Sequence, residues 1–167
     1  PPPLLSRTAD RPVEVPLILA MIRQESAFYV RAKSHANARG LMQVLPRTAK
    51  KVAKRLRIPY SRDRLIKDPD YNMIIGQAYM AGLLDEFNGS YVLSLAAYNA
   101  GPSRARRWTR KNGHPASDDV DAIDWVEMIP FSETRNYVQR VLENLQVYRH
   151  RLSGPEVAET LDKDLIR

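Results

Sequence analysis

The sequence contains no cysteine. That excludes disulfide staples and thiol catalysis, and it removes the strongest zinc-binding signatures. It leaves the compartment open, since a bacterial envelope protein lacks cysteine as readily as a cytosolic one. Histidine is scarce too. His35, His114 and His150 lie far apart without metal-ligand spacing and read as surface or loop residues. No apolar run approaches the roughly 20 residues of a membrane-spanning helix. The longest, Val15 to Ile22, is interrupted by Pro16. Internal repeats, heptads and low-complexity blocks are absent beyond Pro1-Pro2-Pro3. No signal-peptide pattern opens the chain, and a proline-rich start without Met reads as a piece of a longer or processed protein.

What remains is an ordinary globular composition. The 167 residues are 44% hydrophobic, which suits one domain with a sizeable core. The net charge of +7 favours a polyanionic partner such as nucleic acid, an anionic lipid surface or a cell-wall polymer. The basic residues concentrate at 50–57 and 104–111. Both stretches also read as helices with a basic solvent face.

Periodicity predicts a mainly α chain. Pro12 or Pro16 suits the first turn of an opening helix that runs to about Phe28. Pro46 starts a second, with Ala49, Val52, Ala53 and Leu56 on one face and Ile58-Pro59-Tyr60 at its end. Asp68-Pro69 is a cap-then-proline start for a third, from Asp70 to about Phe87. Asn88-Gly89 stops it, and Ser90 can cap a short, nearly all-apolar helix from Tyr91 to Tyr98 that belongs in the core. Gly101-Pro102 begins an arginine-rich helix. One or two turns are expected from Asp121 to Met128. Ser132 can cap the longest helix, Glu133 to about Leu152. Strand-like alternation is nearly absent, with room for one very short β-hairpin between Phe28 and Gln43.

Glu25 stands out against this pattern. At helical spacing it shares a face with Ile18, Met21 and Ile22, so a carboxylate occupies an apolar position in the last turn. Burial and the negative end of the helix dipole both disfavour its charge and raise its pKa. A carboxylic acid protonated near neutral pH is what general-acid catalysis requires. The bland alternative is a solvated residue or a partner for Arg23 or Arg31.

Four segments place polar side chains among apolar ones beside a Gly or Pro turn. They are Gln24-Glu25-Ser26; Gly40-Leu41-Met42-Gln43, with Ser34 upstream; Ala97-Tyr98-Asn99-Ala100-Gly101; and Ile129-Pro130-Phe131 followed by Glu133-Thr134-Arg135-Asn136-Tyr137-Val138. Brought together, they would line a cleft suited to a sugar polymer.

In order and spacing these motifs resemble those of the soluble lytic murein transglycosylases, over about Val13 to Leu152. The resemblance implies a lysozyme-like helical domain that cleaves peptidoglycan glycan strands. It implies Glu25 as the sole catalytic acid/base, and Ser34 and Gln43 as substrate contacts. Leu45 would pack under the sugar where relatives often carry Met, a volume-conserving exchange. Tyr98 would orient Glu25 or the sugar, Asn99 would support the cleft, Glu133 would hold its geometry or bind sugar, and Tyr137 would flank it. Read from the residues alone, Gln43 and Tyr98 could instead satisfy hydrogen bonds in the core. Asn99 could cap a helix beside Gly101, and Glu133 could sit at a helix N-terminus. Ser26 reads as structural.

The chain offers no convincing second carboxylate for the two-acid mechanism of ordinary glycosidases. The resemblance implies substrate assistance instead. Glu25 protonates the glycosidic oxygen, the muramyl N-acetyl oxygen stabilises the anomeric carbon, and Glu25 then deprotonates the muramyl C6 hydroxyl, which closes a 1,6-anhydro ring. No metal and no organic cofactor is expected. Neither is a nucleic-acid partner or an integral membrane segment. The alternatives are a hydrolytic goose-type muramidase and a non-catalytic peptidoglycan-binding module. The expected organisation is a linker at 1–12, the catalytic domain at 13–153 and a tail at 154–167. The parent protein is expected to be periplasmic, with further helical domains upstream.

Overall fold

The computed structural model of the chain describes residues 13–153 and 161–166. The expected linker at 1–12 and the 154–160 part of the tail lie outside them. Among the described residues there are nine helices and no strand, and no helix is long and apolar enough to cross a membrane. The chain divides into two compact units, Pro1–Gly82 and Leu83–Arg167.

In the first unit, α1 (Val15–Ser26) has Pro16 in its first turn and buries Leu17, Ile18, Ala20, Met21 and Ile22. It ends two residues short of the expected Phe28, because Ala27 and Phe28 turn left-handed (φ 48° and 66°). The loop that follows carries the expected hairpin only as two isolated antiparallel bridges, Lys33 with Arg39 and Arg39 with Val44. Positive φ values at Asn37, Gly40 and Gln43 break the extended backbone that strands need.

Helix α2 (Pro46–Leu56) starts on its proline and buries Ala49, Val52 and Ala53, leaving a basic outer face. A four-residue helix, α3 (Arg64–Lys67), precedes α4 (Pro69–Glu86). One turn has too little periodicity to be read from sequence. Asp68 caps α4 as expected, its carboxylate accepting the Tyr71 N–H at 3.0 Å. The Arg55 guanidinium donates to the Ala78 carbonyl and fills the space over Gly82, where an added Cβ would collide with it. This ties α2 to α4.

In the second unit, Asn88 and Gly89 reverse the chain with positive φ. Ser90 then caps α5 (Tyr91–Ala100), accepting the Leu93 N–H. Tyr91 to Ala97 are all buried, as the unbroken apolar run predicts. Helices α6 (Pro102–Asn112), α8 (Ser132–Ser153) and α9 (Leu161–Leu165) pack on α5. Helix α7 (Ala122–Glu127) packs on α8 and is capped by Asp121. The fully buried Trp125 donates its indole N–H to the Gly113 carbonyl at 3.0 Å, which fixes the loop after α6. Ser132 is the first helical residue of α8, one position inside the expected cap. The described part of the tail is ordered: buried Asp164 on α9 accepts from Gln146 and Arg149 on α8.

Candidate active site

In the first unit the candidate residues sit on α1 and on the loop after it. Glu25 is half-buried in the last turn of α1. Ile18, Met21 and Ile22, on the same face, are fully buried. Ser26 is structural: its hydroxyl donates to the Ile22 carbonyl at 3.2 Å. Ser34 is half-buried, and its hydroxyl accepts the Ala38 N–H at 3.0 Å, which closes the bridge-bearing loop. Gln43 adopts φ 44°, a strained conformation for a residue other than Gly, Asn or Asp. Its side-chain amide donates to the Gly40 carbonyl at 2.8 Å. Leu45, the residue before α2, is 44% exposed. An open leucine beside a strained, hydrogen-bonded loop is an apolar surface available to a ligand.

Asn72 of α4 holds this loop in place. Its Oδ1 accepts the Met42 N–H at 2.8 Å, and its Nδ2 donates to the carbonyls of Arg39 and Leu65 at 2.8 and 2.9 Å. Asn72 is fully buried, so these bonds replace water that it cannot reach. Gly40 passes so close that a Cβ there would sit 2.1 Å from the Leu65 carbonyl oxygen. At Gly76 a Cβ would meet the Met42 sulfur at 2.4 Å. Sequence reading assigned no role to Asn72. The available signal was its helical spacing to Ile75, Gly76 and Tyr79, which puts an amide on an apolar stripe.

In the second unit the candidates lie at the end of α5 and the start of α8. Tyr98 and Asn99 are half-buried in the last turn of α5. Asn99 Oδ1 accepts the Thr134 hydroxyl at 2.6 Å. Glu133 is exposed in the first turn of α8, with no hydrogen bond or ion pair among the described residues. Tyr137, one turn on, is only 4% exposed. The turn before α8 is pinned by Arg135, which donates to the Glu127 and Ile129 carbonyls at 3.2 and 2.9 Å. Phe131 is 44% exposed and meets Trp108 edge-on at 5.6 Å, with Arg104 5.1 Å from its ring centre. Thr134 was also missed as a separate residue. It is spaced i, i+3, i+4 and i+7 with Tyr137, Val138 and Val141, so a hydroxyl lies on the buried face.

A mainly helical chain carrying these motifs in this order matches known proteins. The family model described as Transglycosylase SLT domain matches residues 4–120, and that described as Soluble lytic transglycosylase helical domain matches residues 128–156. The chain belongs to the transglycosylase SLT domain family.

The soluble lytic murein transglycosylase of Escherichia coli K12 is 41% identical over 144 residues, covering 86% of this chain and 22% of that protein. The crystal structure of the 70 kDa soluble lytic transglycosylase of E. coli is similar with a TM-score of 0.79 at 38% identity. The match covers 89% of this chain and 24% of the other. An inactive Glu-to-Gln mutant of the lytic transglycosylase Slt from Pseudomonas aeruginosa has a TM-score of 0.76 at 43% identity, over 86% of this chain and 23% of the other. The chain thus spans about a fifth of the length of the soluble lytic murein transglycosylases it matches.

Proposed function

We propose that this chain is the catalytic domain of a peptidoglycan lytic transglycosylase. It cleaves the β-1,4 bond between N-acetylmuramic acid and N-acetylglucosamine without water and leaves 1,6-anhydromuramyl ends. The observation that carries the reading is the place of Glu25, half-buried at the C-terminal turn of α1 beyond fully buried Ile18, Met21 and Ile22. A carboxyl at the end of an apolar helix face stands where a general acid can be shielded from bulk water. That a Glu-to-Gln mutant of the Pseudomonas relative is inactive supports an essential glutamate in such a domain.

Glu25 first donates its proton to the glycosidic oxygen, and the muramyl N-acetyl oxygen supports the anomeric carbon. The resulting carboxylate takes the proton from the C6 hydroxyl, whose oxygen closes the ring. A well-oriented intramolecular nucleophile has an effective concentration on the order of 10⁵ M or more, enough to outcompete water. Within the first unit, Ser34, Gln43 and Leu45 are the sugar contacts, Gln43 through the amide oxygen that no described residue engages. Within the second, Tyr98, Asn99 and Glu133 are. Tyr137, one turn after Glu133 and nearly buried, flanks the sugar.

The domain occupies 13–153, with a linker at 1–12 and a tail at 154–167 that includes α9. It works in the bacterial periplasm as part of a longer protein with upstream helical domains. Its coverage of about a fifth of the soluble lytic murein transglycosylases it matches supports that reading.

Glu25→Gln is expected to abolish clearing of purified cell walls while leaving the unfolding transition in place. Mass spectrometry of wild-type digests is expected to show muramyl ends one water lighter than hydrolytic products. Digests with reducing ends only, or a Glu25→Gln protein that retains more than a few per cent of activity, overturn the proposal.

A further inference from the structure

The second unit contains a pocket that none of the motif residues lines. Its volume is about 410 Å³, within the range of small-ligand sites. The end of α4, the first half of α5, helix α6 and the loop after it form its walls. Phe87 and Leu93 are buried and give it apolar ground. Glu86 and Arg106 pair with each other, which cancels their charges.

Two donors remain. Arg110 has no hydrogen bond or ion pair among the described residues. The Nδ1 of His114 accepts the Ala116 N–H at 3.1 Å, so the neutral ring carries its proton on Nε2. No described residue accepts from that nitrogen. A permanent guanidinium and a ring N–H over apolar ground select an anion that carries hydrocarbon. A guanidinium fork matches a carboxylate bidentately. Bare phosphate would leave Phe87 and Leu93 uncovered.

We propose that this pocket binds the carboxylate of a short acidic peptide, with Arg110 and His114 Nε2 on the carboxylate and a small aliphatic side chain against Phe87 and Leu93. If the chain cleaves peptidoglycan as proposed above, the source of that peptide is the stem attached to the glycan. The pocket then holds a stem while the strand is cut elsewhere.

The test is an NMR titration of the isotope-labelled full chain with an alanyl-glutamate dipeptide, the same dipeptide with both carboxylates amidated, and inorganic phosphate. The dipeptide is expected to shift the Leu93, Arg110 and His114 resonances saturably, and the amidated form to leave them unmoved. Arg110→Gln and His114→Gln are each expected to weaken binding by about tenfold, the loss of one strong hydrogen-bonded contact. Spectra of the unliganded variants verify that they fold. Absence of saturable shifts in the wild type overturns the proposal. So do equal binding of the amidated form, unchanged affinity in both variants, or phosphate binding as tightly as the dipeptide. The titration repeated on Glu25→Gln is expected to be unchanged, so failure of the cleavage reading and failure of this one are separately visible.

Discussion

The Thr134 hydroxyl donates a 2.6 Å hydrogen bond to Asn99 Oδ1 and so joins the last turn of α5 to the first turn of α8. Thr134 is 2% exposed. With its oxygen held, the Asn99 amide presents its NH₂ group elsewhere, so a buried residue sets the donor face of Asn99, a candidate sugar contact.

Thr134→Val keeps the volume and deletes the donor. It is expected to destabilise the fold by about 1–2 kcal/mol and to slow cell-wall clearing by about tenfold as Asn99 loses its orientation. Thr134→Ser is expected to retain both properties. Urea unfolding and a turbidity assay on the same preparations separate the two effects.

Asn72→Ala removes three buried hydrogen bonds at once. A loss of about 3 kcal/mol is expected in urea unfolding. Amide exchange at Met42 is expected to accelerate beyond what the global loss explains, because the loop itself comes loose.

Gly40 and Gly101 make a matched pair, with φ of 73° and 94°. An alanine at 40 meets the Leu65 carbonyl, whereas an alanine at 101 has nothing within 4 Å. Gly101→Ala is expected to cost about 1–3 kcal/mol through backbone strain alone, because φ 94° with ψ 144° is a conformation that only glycine adopts readily. Gly40→Ala is expected to cost several times that, or to prevent folding. Thermal melts of the two variants decide it.

The hydrogen bond from the Tyr71 backbone, foremost, and the Arg64 guanidinium hold the Asp68 carboxyl below the usual carboxylate range. A depressed folded pKa contributes stability that is complete above the ordinary value, about 3.9, and is lost as pH falls through the folded value. Asp68→Asn retains a capping oxygen without the charge. The wild type is expected to exceed it in stability at pH 7 and to lose that advantage in acid, as urea midpoints at pH 7 and near pH 2 would reveal.

The helices and their caps were legible because each rests on local chemistry. Asp68-Pro69, Ser90 and Asn88-Gly89 behave as their side chains and backbone preferences require. Glu25 drew notice in the sequence because it interrupts a periodic apolar face, and it lies half-buried at the end of that face. The same test, applied to α4 and α8, would have singled out Asn72 and Thr134. What the sequence did not carry is which carbonyl or amide each would meet. Asn72 reaches Arg39 and Met42 across some thirty intervening residues, a pairing that no spacing rule encodes. The hairpin shrank to two bridges because residues 37, 40 and 43 turn left-handed; at Gln43 nothing in the residue type signals that turn.

Gln43 carries a consequence for how this chain tolerates change. A glycine there would relieve the φ 44° backbone, but it would forfeit the hydrogen bond to the Gly40 carbonyl and add freedom to the unfolded chain. The side chain thus holds in place the very backbone that it strains. Removing it trades one cost for another of similar size and takes away the amide proposed to grip the sugar.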